Sequence, residues 1–272
     1  MKKSVKKIMA VILTAVIGVG LLAGCSSTGS SSNDESLSKV KKAGVLKVGL
    51  SDDYPPMEFR DSNNKVSGFD IDMINAIGKK MGVKVQIVTN SFDGIFVALK
   101  AKKFDMVQSC VSITDERKST LLFSDPYIYG GVAVFVKKSN TTIKKPEDLK
   151  GKVVGCQAGT TAEDALKKFN GLKETKKYQQ TTDAFLDLEN NRIEAVVADP
   201  MVGDYYTTKN PGKYEKISKY LGKEPVGAAF RKQDKTLKDA YQKAYNELKK
   251  DGTLSKLSNK WFGYDIYSSQ NK

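Results

Sequence analysis

The densest run of hydrogen-bonding side chains in the sequence is Ser109-Cys110-Val111-Ser112-Ile113-Thr114-Asp115-Glu116-Arg117. The hydroxyls of Ser109, Ser112 and Thr114 suit an anion. Arg117 adds a planar fork that matches a carboxylate through two parallel hydrogen bonds. The same string also reads as a helix start at Thr114-Asp115-Glu116 with Arg117 on its surface, and spacing does not separate the two. A second cluster, Gln157-Ala158-Gly159-Thr160-Thr161-Ala162-Glu163, follows an extended run and opens a helical one. The free N–H groups of a helix start hold an anion without any lysine; a capped turn is the plainer reading. Asp199, before Pro200, stands at the end of another extended run, where a carboxylate can hold an ammonium group or simply form a turn. Tyr54 and Phe92 each follow an apolar run and suit either the walls of a pocket or the core.

The segments that must position these residues alternate between two periods. Val45 to Leu50 and Val83 to Val88 read as strands, and Phe69 to Met81 carries its apolar residues on one helical face up to Gly82. Phe92 to Lys100 reads as a helix and Met106 to Val111 as a strand. After Gly151 the rhythm repeats. Val153 to Cys156 and Ala195 to Ala198 are strands; Thr161 to Phe169 and Thr182 to Asn190 are helices, with Thr182 as a cap. Two more helices, broken at Asp251-Gly252, fill Lys235 to Lys260. Such alternation predicts an α/β fold with parallel strands. The glycine-flanked run Gly130 to Val136 reads as a crossover between two lobes and Pro225 to Phe230 as the return. Two lobes joined twice imply a ligand cleft between them and hinge closure around it.

Composition narrows the functions further. The chain has 272 residues, a net charge of +14 and no histidine. The commonest general base and metal ligand is therefore absent, and no cofactor or metal is expected. Only four of the 45 basic residues are arginine, and the lysines are scattered, which argues against nucleic-acid binding. The amino end combines Lys2, Lys3, Lys6 and Lys7 with an uncharged apolar run from Ile8 to Leu22 and then Leu22-Ala23-Gly24-Cys25. That is the layout of a secretory signal. Without those four lysines the charge is +10. Cys110 and Cys156 remain beyond Cys25, and both a disulfide and two free thiols stay open.

Taken together, these clusters resemble the extracellular solute-binding proteins of amino-acid ABC importers, family 3, which include histidine-, lysine/arginine- and glutamine-binding proteins. The resemblance runs over nearly all of residues 37–272. It is carried by Tyr54-Pro55-Pro56-Met57-Glu58-Phe59, Gly68-Phe69-Asp70-Ile71-Asp72, Ser112-Ile113-Thr114-Asp115-Glu116-Arg117, Phe123-Ser124-Asp125-Pro126-Tyr127 and Asp251-Gly252-Thr253-Leu254. It implies a two-lobed type II periplasmic-binding-protein-like fold, with two mixed sheets, flanking helices and two hinge strands. The end of the signal resembles a bacterial lipobox. The expected layout is a signal peptide at 1–24, an acylated Cys25 with a disordered serine-rich tether at 25–36, one lobe from 37–130 plus 225–272, and a second from 131–224.

By that resemblance, Arg117 would clamp a ligand α-carboxylate with Ser112 and the amide of Thr161. Asp199 would pair with the α-ammonium, helped by the carbonyl of Cys110. Ser109 and Thr160 complete the expected ligand-binding set. Tyr54 and Phe92 would enclose the side chain, and Gln157 and Ser51 would reach its tip. Cys110 stands where relatives often carry serine or glycine, and Gln157 and Ser51 also depart from them, so the side chain of the ligand stays open. Inward-facing Asp52, Asp53 or Glu58 would imply a cationic ligand; outward-facing ones, a neutral polar ligand or cystine. The implied function is capture of a free, polar amino acid for an ABC permease and its ATPase, without catalysis. The expected form is a monomer lipid-anchored to the outer face of the cell membrane of a Gram-positive-type bacterium. The alternatives are an enzyme on the same scaffold, such as a cyclohexadienyl dehydratase, and a ligand sensor uncoupled from transport.

Overall fold

The computed structural model describes residues 34–217 and 222–268. The chain divides into units Met1–Ser32 and Asn33–Lys272. The expected signal peptide, Cys25 and the tether to residue 33 lie outside the described residues. Folded structure starts before the expected boundary at 37. A helix spans Ser36–Ala43, and the Asp34 carboxylate accepts the Ser36 N–H at 2.9 Å as well as the N–H of Thr236.

Two mixed sheets organise residues 34–268. The first runs in the order Lys84–Thr89, Val45–Leu50, Met106–Val107, Ala229–Arg231, Leu121–Phe123. Its first three strands are parallel, and Ala229–Arg231 runs antiparallel to both neighbours. The second runs Glu174–Tyr178, Val153–Gln157, Ala195–Ala198, Ile128–Lys137, Tyr214–Lys216. Ile128–Lys137 also pairs antiparallel with Gly222–Val226, in register from Val226 opposite Ile128 to Gly222 opposite Val132. This ribbon is the double connection between the sheets. The return run is interrupted: Gly222–Val226 and Ala229–Arg231 are separate strands, because the Gly227 N–H turns aside to Val111 O.

Side-chain alternation explains the packing. Along Ala133-Val134-Phe135-Val136, successive residues face opposite sides of the second sheet. Ala133 and Phe135 join Phe185, Ile193 and Tyr214, while Val134 and Val136 join Val154, Leu166 and Val197. Beside the first sheet, the helix Phe69–Met81 buries Phe69, Met73, Ile74, Ile77 and Met81. Each large apolar side chain so buried contributes about 1.5–3 kcal/mol. Gly82 ends the helix at φ 66, where a side chain would be strained.

Several elements differ from expectation. The strand predicted over Met106 to Val111 stops at Val107, and Cys110 then adopts a left-handed φ of 45. The helix predicted from Thr182 covers Thr181–Glu189 and has no side-chain cap. The strand Glu174–Tyr178 and the helix Pro200–Lys209 carry no apolar alternation strong enough to announce them.

Candidate functional site

The ten residues expected to bind ligand line one cavity: Tyr54, Phe92, Ser109, Cys110, Ser112, Arg117, Gln157, Thr160, Thr161 and Asp199. Gly131 and Ala162 also line it. Its walls come from loops and helix ends at both sheets, so no single sheet completes it.

Arg117 lies in the short helix Asp115–Thr120, capped by Thr114, whose hydroxyl accepts the Arg117 N–H at 3.2 Å. The capped-helix reading and the pocket reading of this string therefore both hold. The Arg117 guanidinium donates from Nη1 to Ser112 O at 2.9 Å and from Nη2 to Gly159 O at 3.0 Å. It sits over the rings of Phe92 and Phe96, at 5.7 and 5.2 Å from their centroids. Phe96 escaped the sequence reading because a ring beneath a guanidinium looks like any other helix apolar residue. Burial lowers the Arg117 pKa, and distant acids oppose that shift. Arginine nevertheless stays charged. Among the described residues, Arg117 makes no ion pair; its hydrogen-bond partners are carbonyls.

Asp199 is the opposite case. It caps the helix Pro200–Lys209, with Oδ1 accepting the Met201 N–H at 2.8 Å, and Oδ2 accepts the Gly131 N–H at 3.0 Å. Burial pushes its pKa up to about 6, against the pull of those two N–H groups. No lysine or arginine among the described residues pairs with it. Gly130 makes its position tenable, since a Cβ there would lie 2.2 Å from Asp199 Oδ2. The sequence suggested Gly130 only as a hinge residue.

The remaining groups are already partly engaged. The Ser109 hydroxyl donates to Glu58 Oε1 at 2.8 Å and accepts the Ser51 N–H at 3.0 Å, so its proton is directed away from any anion. Thr114, expected to offer a hydroxyl, is used as the helix cap. Thr160 donates to Gln157 O at 2.7 Å and Thr161 to Glu224 Oε2 at 2.7 Å. What these threonines bring to the cavity is the start of the helix Thr161–Lys168. Gly159, at φ 76, allows close approach: a Cβ there would lie 2.7 Å from Asp93 Cα.

Beneath the cavity, Asp70 accepts from Gln108 Nε2 at 3.1 Å, Cys110 N at 2.9 Å and Tyr127 OH at 2.8 Å. The bond to Cys110 holds that residue in its left-handed turn, a conformation costing about 1–3 kcal/mol outside glycine. Burial pushes Asp70 up to about 6. Glu58 is raised as well, by burial first and then by the neighbouring Asp70. Cys110 and Cys156 are both free and buried, which decides the question left open by the sequence. Burial pushes the Cys156 thiol up to about 12 and raises Cys110 as well. Cys110 lines the cavity and Cys156 belongs to a hydrophobic cluster. Ser51, expected at the tip of the ligand, lines an adjoining depression instead.

Two mixed sheets joined by a strand ribbon, with a cavity bounded by both, define a type II periplasmic-binding-protein fold. The chain belongs to the bacterial extracellular solute-binding proteins, family 3, whose profile matches residues 46–264. It is 35% identical over 255 residues to the L-cystine-binding protein TcyJ of Escherichia coli K12, covering 93% of this chain and 96% of that one. It is 35% identical over 222 residues to ABC transporter arginine-binding protein 1 of the same strain, covering 80% and 90%. An ABC uptake transporter substrate-binding protein from Streptococcus pneumoniae, solved with bound histidine, superposes with a TM-score of 0.82 at 29% identity, covering 87% and 99%.

Proposed function

We propose that this chain captures a free, polar amino acid in the cleft and presents it to the permease of an ABC importer. One observation carries the reading. A half-buried guanidinium and a buried carboxylate border the same cavity, and neither forms an ion pair among the described residues. A buried charge is costly unless paired. A zwitterion supplies both missing charges at once. Its α-carboxylate would lie against Arg117 and the first turn at Thr161, and its α-ammonium against Asp199 and the carbonyl of Cys110. Tyr54 and Phe92 would enclose its side chain.

The role is binding rather than catalysis. The charged groups that line the cavity are the two that a zwitterion would neutralise, and the Cys110 thiol is held protonated by burial. The acting form is a monomer held at the outer face of the cell membrane by acyl chains on Cys25. A thermal-shift panel of the twenty amino acids tests the capture step. A ligand at 1,000 times its Kd should add about 4 kcal/mol of stability; no shift with any of the twenty, or with cystine added to the panel, would refute the reading. For the anchor, Cys25→Ser should abolish labelling by radioactive palmitate and release the protein to the medium.

A further inference from the structure

The cavity ends at a thin polar wall. Gln157 lines it on the inside. On the other side lies a second, more open depression, bordered by Ser51, Asp52, Asp53, Asn90 and Gln179 among others. Gln157 and Asp53 meet between the two. Gln157 Nε2 donates to both Asp53 oxygens at 3.3 Å. We propose that the Asp53–Gln157 contact is a displaceable partition, and that a ligand side chain long enough to reach it and ending in a cation replaces Gln157 on Asp53. This rests on the amino-acid capture proposed above and names the class of side chain that the site selects.

The argument begins with the two neighbouring acids, which differ in their partners. Asp52 has its cation, Arg60, at 2.6 Å. Asp53 has none among the described residues, although it is only 7% exposed. Its shell consists of the Ser51 hydroxyl, the Thr181 N–H at 2.8 Å and Gln157 Nε2. All are neutral donors. Burial outweighs them and raises the Asp53 pKa. A guanidinium or ammonium group would relieve that burial cost, since charge-assisted bonds exceed neutral ones.

The Gln157 bonds are also the easiest to give up. At 3.3 Å they exceed the usual N–H···O range, and one N–H₂ group is shared between both carboxylate oxygens. Gln157 keeps another acceptor when it leaves, since Nε2 also donates to Gln179 O at 3.1 Å. Its Oε1 accepts from Thr181 Oγ1 at 3.3 Å, a contact equally long. Short or neutral ligands would leave the wall closed. Long cationic ones would pass it, with the polar depression beyond to hydrate their ends.

Calorimetry on the full chain with arginine, with its neutral isostere citrulline and with glutamine tests this. The wild type should bind arginine about tenfold or more tighter than citrulline. Asp53→Asn should erase that preference while citrulline and glutamine stay within about threefold of wild type. Asp53→Ser, a smaller neutral side chain at the same position, guards against a defect peculiar to the amide and should likewise erase the preference for arginine over citrulline. Equal wild-type affinity for arginine and citrulline would overturn the proposal. So would an equal loss for all three ligands in both variants, which would make Asp53 a latch without selectivity. Binding of none of the three by a wild type that another amino acid stabilises would overturn it as well, whereas stabilisation by no amino acid at all would instead overturn the capture reading beneath it.

Discussion

Replacing Asp199 by asparagine changes the charge at one wall of the cavity and almost nothing in size. In the ligand-free protein two effects oppose each other. The carboxylate accepts one N–H on each oxygen, from Met201 at 2.8 Å and from Gly131 at 3.0 Å. An amide has only one oxygen, so its N–H₂ must face one of those donors. The lost acceptor costs about 1 kcal/mol. Removal of an unpaired buried charge offsets it, and the unliganded Tm should change by only a few degrees. Binding is different. Truncating one partner of a buried, hydrogen-bonded charge pair costs about 2–5 kcal/mol, which is about 30- to 4,000-fold in Kd. The pH dependence should change too. With a pKa of about 6, Asp199 holds a proton at lower pH and must lose it to receive an ammonium. Wild-type affinity should therefore be flat above pH 7 and fall by up to about tenfold per unit below pH 6, a dependence that Asp199→Asn removes. In the ligand-free protein this group works in the opposite sense. Its folded pKa lies above its unfolded value, so its contribution to stability declines as pH rises from about 4 to 6. Isothermal calorimetry between pH 5 and 8 on both proteins measures all of this. A variant that binds within about fivefold of wild type, with the same pH profile, would refute the ammonium assignment.

Three further outcomes follow from the packing. Gly130→Ala places a Cβ 2.2 Å from Asp199 Oδ2 and should weaken ligand binding about tenfold or more by displacing that carboxylate, as read by calorimetry, with the far-UV circular dichroism unchanged. Gly203→Ala would put its Cβ 1.9 Å from the Phe135 ring, so urea denaturation should show a loss of about 1–3 kcal/mol. Cys110 and Cys156 should resist a thiol reagent at pH 8 in the native state and both react once guanidinium unfolds the chain, because burial raises both thiols.

Much of this architecture was legible in the sequence because it rests on repeating patterns. The helix Phe69–Met81 and its glycine stop follow from periodicity, and the run Gly130 to Val136 from its apolar continuity. The paired charges were legible only through resemblance, since spacing alone left Arg117 and Asp199 as plausible surface or turn residues. Features set by contacts distant in sequence were not readable. Asp53 meets Thr181, 128 positions away, and nothing local separates it from Asp52. The early end of the strand at Val107 depends on Asp70 drawing in the Cys110 N–H from 40 positions away. The strand Glu174–Tyr178 escaped notice because it is an edge strand, largely solvated and rich in lysine.

The bond from Arg117 to Gly159 O has a kinetic meaning as well as a structural one. The same side chain that would hold the solute also ties the two walls together. A captured molecule then leaves only when the walls part, and parting breaks this tie along with the contacts of Asp53 to Thr181 and of Gln179 to Asp93. Dissociation becomes a property of the protein more than of the solute. Ligands of quite different affinity would share a similar slowest escape step, and their differences would lie in how readily the walls close on them. Under the proposed delivery to a permease, prying apart that seam would release the solute without any change in the pocket's chemistry.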